Sequence, residues 1–185
     1  MINQGCIGAL DYEKFTPKEK DILDKLKNFF AVDKKNIDVM LKIINGDSNI
    51  SIRILDWFVS NYSKKNDIYY EIENKPFYVY MEYLNKTNLY SKKYFDPFCR
   101  VKKLIYNYRY VDENDKEENI TFETSIGQLN FFHWAIEFEV IQYVELHLCE
   151  IEKDMKDIYE RNKLRKISEL NLYNISAQKA LIVNN

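Results

Sequence analysis

The sequence predicts an α+β fold with N-terminal helices, central antiparallel β-hairpins and a long C-terminal helix with a tail. Three observations predict it. Apolar residues recur at helical spacing over about 16–63, β-forming residues crowd about 67–124, and helical periodicity returns over about 126–164. Residues 1–164 read as one globular domain, and 165–185 as a basic and apolar tail. A chain of 185 residues with 46% apolar content buries roughly 70% of its unfolded surface, enough for a core without staples.

The first helix opens at Thr16-Pro17-Lys18-Glu19, a capping box with proline at the first helical position. Ile22, Leu23, Leu26, Phe29 and Phe30 then form one apolar face. A second helix begins near Asn36, is lined by Ile37, Met40, Leu41 and Ile44, and stops at Gly46. Asp47-Ser48-Asn49 caps a third helix over about Ile50 to Ser63. That helix is apolar nearly all round except for Arg53, Asp56 and Ser60, so it is expected to be central and mostly buried.

Asp67 to Ile72 and Phe77 to Tyr83 read as strands around the junction Glu73-Asn74-Lys75-Pro76, although Phe77 to Leu89 is also compatible with a helix. Asp96-Pro97 breaks the chain. A second hairpin runs from Lys102 to Val111, through the acidic tip Asp112 to Asn119, and back over Ile120 to Thr124. Strand alternation puts Leu104, Tyr106, Tyr108 and Tyr110 on one face. Ser125-Ile126-Gly127-Gln128 is another capping box, opening a helix with Leu129, Phe131, Phe132, Trp134, Ala135 and Ile136. A long helix follows over about Glu139 to Leu164. Its seam of Ile141, Val144, Leu148, Ile151, Met155 and Ile158 is heptad-like but spans under three heptads. Glu152–Lys156 and Asp157–Arg161 add helix-supporting pairs worth a few tenths of a kcal/mol each. The tail ends in Ala180-Leu181-Ile182-Val183, which needs a surface to lie against.

Composition restricts the function classes. The net charge is −2, which excludes a polycation, and no window approaches ~18 uncharged apolar residues, so no membrane span is expected. Met1 to Leu10 lacks the pattern of a signal peptide. The three cysteines, Cys6, Cys99 and Cys149, form no disulfide framework, which suits a reducing, intracellular setting. Counts of 22 Lys against 5 Arg, with 21 Ile and 19 Asn, point to an AT-rich gene.

No catalytic constellation emerges. His133 and His147 are the only histidines, and neither they, Glu137 nor Cys149 has structural-zinc spacing, so no metal and no cofactor is expected. Four glycines form no phosphate-cradling loop. Cys99 beside Arg100 reads as a small buried hydrophobe. The expectation is a protein that is not an enzyme.

Two binding surfaces are candidates. Between Lys86 and Arg109 seven basic residues face one acid, a local charge of +6, with aromatics interleaved. Lys92, Lys93, Arg100, Lys102, Lys103 and Arg109, with Tyr94 and Phe98, have the composition of a single-stranded RNA or DNA site: cations for phosphates, rings for bases. The bland alternative is core aromatics with solubilising lysines on an edge. Residues 111–124 sum to −5 and can neutralise that stretch. The second candidate is the seam Ile141, Val144, Leu148, Ile151, Met155 and Ile158 as a partner-binding face. Glu137 to Glu160 carries −6 and Arg161 to Lys179 carries +4, a dipole suited to a complementary copy or partner.

Three strings carry a resemblance: Ser51-Ile52-Arg53-Ile54-Leu55-Asp56-Trp57-Phe58-Val59; Tyr90-Ser91-Lys92-Lys93 with Phe95-Asp96-Pro97-Phe98-Cys99-Arg100; and Ile126-Gly127-Gln128-Leu129-Asn130-Phe131-Phe132. Over roughly Ile50 to Met155 the chain resembles an uncharacterised protein family of the giant nucleocytoplasmic large DNA viruses, mimivirus and its kin. The resemblance implies a protein made in host cytoplasm and used in the viral factory or carried in the virion. It transfers no catalytic residue. The leading expectation is a non-catalytic virion-associated or assembly component that binds other viral proteins or itself. The alternative is a nucleic-acid-binding factor in viral gene expression using 86–109.

Overall fold

A computed structural model describes residues 4–7, 12–111 and 117–183, with side chains described over 12–110 and 117–170. The chain divides into two compact units, Met1–Leu146 and His147–Asn185.

In the first unit, β1 (Gln4–Ile7) precedes α1 (Pro17–Val32) and α2 (Lys34–Asn45). The Thr16 capping box forms with both of its reciprocal hydrogen bonds. Gly46 ends α2 at φ 82°, the left-handed conformation that only glycine adopts without strain. Next come α3 (Ile52–Trp57), a π-helical turn (Phe58–Tyr62) and α4 (Ser63–Lys65). The first hairpin pairs β2 (Tyr69–Ile72) with β3 (Lys75–Tyr78) and leads into α5 (Val79–Tyr94). The second pairs β4 (Lys103–Val111) with β5 (Glu117–Ser125), followed by α6 (Ile126–Glu137) and α7 (Val140–Leu146). The second unit holds α8 (Leu148–Val183).

The fold is α+β, with helix, antiparallel hairpins and helix in the expected order. Several particulars differ from the expectation. β1 was not expected; it pairs antiparallel with β4 and makes a three-stranded sheet of order β1-β4-β5. Its four residues are too short a run for alternation to register.

The stretch Phe77 to Tyr83 is not a strand beyond Tyr78. The chain turns helical at Val79, and i,i+4 spacing puts Val79 and Tyr83 on one inward face, where Tyr83 meets Phe95 and Trp134. The predicted long helix over Glu139 to Leu164 is broken at His147, whose carbonyl accepts hydrogen bonds from the amides of Glu150 and Ile151. Neither proline nor glycine marks that break, so it carried no local signal. Finally, α8 stays helical through the expected tail as far as Val183. The acidic tip over 112–116, the amino-terminal residues 1–3 and 8–11, and the side chains of Ala180 to Val183 lie outside the described residues.

α6, rather than the third helix, is the central element. Eight of its twelve residues are buried, among them Leu129, Phe131, Phe132, Trp134 and Ala135. Around Trp134 gather the rings of Phe77, Tyr83, Phe95 and Phe131 at centroid distances of 5.6–6.3 Å. The third helix buries Ile54, Leu55, Phe58, Val59 and Ser63, while Ile52, Asp56, Trp57, Ser60 and Tyr62 are half-buried and Arg53 and Asn61 exposed. On β4, Leu104, Tyr106 and Tyr108 are buried as the alternation requires, with Tyr110 half-buried.

Candidate functional site

The basic and aromatic stretch disperses on folding. Phe95, Tyr106 and Tyr108 are core residues at or below 1% exposure. Lys103 pairs with Glu123 across the β4–β5 ladder. Lys86 lies over the Phe138 ring at 5.7 Å. Lys92, Arg100, Arg109 and Phe98 remain exposed.

Lys93, Tyr94 and Lys102 converge on one buried acid. Glu19, the third residue of α1, has no exposed side-chain surface. The Lys102 ammonium sits 2.7 Å from both carboxylate oxygens, and that of Lys93 3.3 Å from Oε1. The Tyr94 hydroxyl donates to Oε1 at 2.9 Å, while the Thr16 amide and hydroxyl donate to Oε2 at 2.9 and 3.1 Å. Burial pushes the Glu19 carboxyl up, but the hydrogen bonds from Lys102, Thr16 and Tyr94 outweigh it and hold the group well below the usual carboxylate range. The cluster fastens the start of α1, the end of α5 and the turn before β4 to one another. It occupies two of the six predicted cations and one of the two predicted rings. The capping box marked Glu19 in the sequence, but nothing local marked its burial.

Lys92 lies on α5 and Lys103 and Arg109 on β4, while the loop 95–100 holds two further predicted residues, Phe98 and Arg100. It is tied to the start of α6 by Asp96 N–H to Gly127 O at 3.2 Å, Ser125 Oγ to Cys99 O at 2.8 Å, and Gln128 Nε2 to Pro97 O at 3.1 Å. Gly127 is required there: a Cβ would lie 2.8 Å from Cys99 Cβ and 2.9 Å from its sulfur. Beside the loop opens a pocket of about 330 Å³, lined by Ile44, Ile52, Pro97, Phe98, Arg100 and Gln128 among others. The three strings that carry the viral resemblance all contribute to its wall. Of the predicted nucleic-acid residues the pocket gathers Phe98, Arg100 and Lys103.

The predicted partner-binding seam does not form one exposed face. Ile141 and Val144 are buried in the first unit, Ile151 is buried, and Leu148, Met155 and Ile158 are half-buried. The break at His147 separates the first two residues from the rest, which lie in the second unit. The exposed apolar residues of α8 lie further along: Tyr159, Leu164, Ile167 and Leu170, at 59, 64, 47 and 61% exposure. The spacing of the predicted seam, continued past Ile158, falls on Asn162, Arg165 and Glu169 and so misses them.

The histidines sit apart from any ligand cluster. His133 lies 3.4 Å from Glu137 with its ring 4.3 Å from Phe29, and burial lowers its pKa. His147 is 3.8 Å from Glu150. Among the described residues no three His, Cys, Asp or Glu side chains gather as metal ligands, and no helix is long and apolar enough to cross a membrane.

A model described as a family of unknown function (DUF7197) matches residues 7–181. The chain is 58% identical over 164 residues to a protein of Acanthamoeba polyphaga mimivirus named "Uncharacterized protein L507". The match covers 86% of this chain and 62% of that relative, so the chain spans under two thirds of the relative's length. No solved structure matches the chain.

Proposed function

The chain belongs to the family of unknown function DUF7197, and from that premise we propose that it acts by binding protein surfaces, without catalysis, as a virion-associated or assembly component. The observation that carries this reading is the apolar set on α8. Tyr159, Leu164, Ile167 and Leu170 fall within an arc of roughly 140° at 100° per residue, and all four are solvent-exposed. Exposed large side chains grouped on one helical face mark an interaction surface more often than scattered ones do.

Charge supports a second copy of the chain as the partner. Over 148–160 five acids outnumber two lysines, and over 161–170 four basic residues outnumber one acid. An antiparallel copy centred near residue 160 sets the −3 half against the +3 half. The experiment is size-exclusion chromatography with light scattering on the full chain and on L164E/I167E. The expected outcome is a concentration-dependent dimer that the double variant returns to monomer with its circular dichroism intact. A wild-type chain that stays monomeric at all concentrations and retains no viral protein in a pull-down overturns the reading.

The alternative, single-stranded nucleic acid bound along 86–109, draws support from the exposure of Lys92, Arg100, Arg109 and Phe98. It is the weaker reading because Lys93, Lys102 and Lys103 are each engaged by a carboxylate.

A further inference from the structure

The pocket beside loop 95–100 has its own chemistry, independent of α8. Its sides are apolar, from Ile44, Ile52 and Pro97, with the half-exposed ring of Phe98 at the mouth. Its floor is polar. Gln128 Oε1 accepts from the Thr124 hydroxyl at 3.0 Å and Nε2 donates to Pro97 O at 3.1 Å, which fixes the amide plane and leaves its second N–H uncommitted by those two bonds. At the rim Lys103 and Glu123 neutralise each other, so the exposed guanidinium of Arg100 leaves the pocket one positive charge.

The loop that presents Phe98 and Arg100 is rigid for a surface segment. Besides its ties to α6, Phe98 N–H donates to Asp96 Oδ1 at 2.7 Å and Cys99 N–H to Asp96 O at 3.1 Å. Cys99 Sγ rests on Lys93 O at 3.3 Å. A guanidinium and an aromatic ring held outward by a stapled loop, over a fixed amide, form a prearranged recognition group. The volume of about 330 Å³ suits a small molecule.

The geometry points to a binding site for a nucleoside monophosphate: the base against Phe98 and the apolar walls, its polar edge toward Gln128, and the phosphate on Arg100. Arginine meets phosphate bidentately, and a flat base has a face for Phe98.

The test is NMR titration of the full chain, following the Gln128 side-chain amide and the backbone amides of Phe98 to Arg100, with adenosine monophosphate, uridine monophosphate, adenosine and inorganic phosphate as probes. The expected result is saturable, localised shifts with both monophosphates. R100E weakens binding at least about tenfold, in keeping with a lost charge-assisted pair, and F98A weakens it several-fold. Both side chains are exposed, so both variants should melt as the wild type does; K65E serves as a distant control. No shift at these amides, shifts unchanged in R100E, or phosphate binding as tightly as the monophosphates would overturn the proposal. So would affinity that grows with oligonucleotide length, which would mark an extended phosphate-tracking surface instead.

Discussion

Glu19 serves two purposes: it closes the capping box of α1 and it anchors two lysines from distant segments. A buried carboxylate without partners would cost several kcal/mol, so its stability rests on Lys102 and Lys93. Because its folded pKa is depressed, the stabilisation it confers is fully present above the ordinary carboxyl value of about 4.5 and is lost as pH falls below that. E19Q should therefore lower stability by about 1–3 kcal/mol at pH 7 and flatten the acid limb below about pH 4.5. Urea denaturation of both proteins from pH 7 to pH 3 measures this, and parallel curves would refute it. His133, whose pKa burial lowers, contributes a separate loss that begins near pH 6.5, and E19Q leaves that step in place. Gly127 offers a steric counterpart. G127A should cost about 1–3 kcal/mol through overpacking on Cys99, and adding C99A should recover part of it. The double-mutant cycle detects the contact as a favourable coupling.

At the scale of elements, the β2–β3 hairpin is held by a two-residue turn whose residues, Glu73 and Asn74, both have positive φ, 50° and 62°. That is the type I′ pattern, which matches strand twist but suits glutamate poorly. E73N/N74G should raise stability by about 1 kcal/mol, read as a higher urea midpoint with an unchanged slope. No gain would mean that the surrounding contacts dictate the turn whatever its residues. The turn was legible as Glu73-Asn74-Lys75-Pro76, but its register was not, since β-formers run past Tyr78 into a helix. Tyrosine and valine suit either state when half-buried, and here the inward pair Val79 and Tyr83 settles it. The heptad-like seam failed for a related reason. Spacing records which residues could share a face, while the break at His147 assigns Ile141 and Val144 to the first unit's core.

For the molecule as a whole, association through α8 should depend on salt, because the opposed charge halves are solvent-exposed and screened beyond a Debye length of about 8 Å at physiological ionic strength. Raising salt should weaken the charge contribution while leaving the apolar one, so a dimer that weakens but persists at high salt fits both. The order of helices and hairpins, the caps at Thr16, Gly46 and Ser125, and the buried face of β4 were all readable from residue order, because each follows from interactions within about four positions or from strand alternation. The burial of Glu19, the gathering of Ile44, Ile52, Phe98, Arg100 and Gln128 around one pocket, and the engagement of three lysines by acids were not. Those depend on contacts between segments up to 84 positions apart, and a linear pattern holds no record of which distant partner a charge or ring will meet when the core closes.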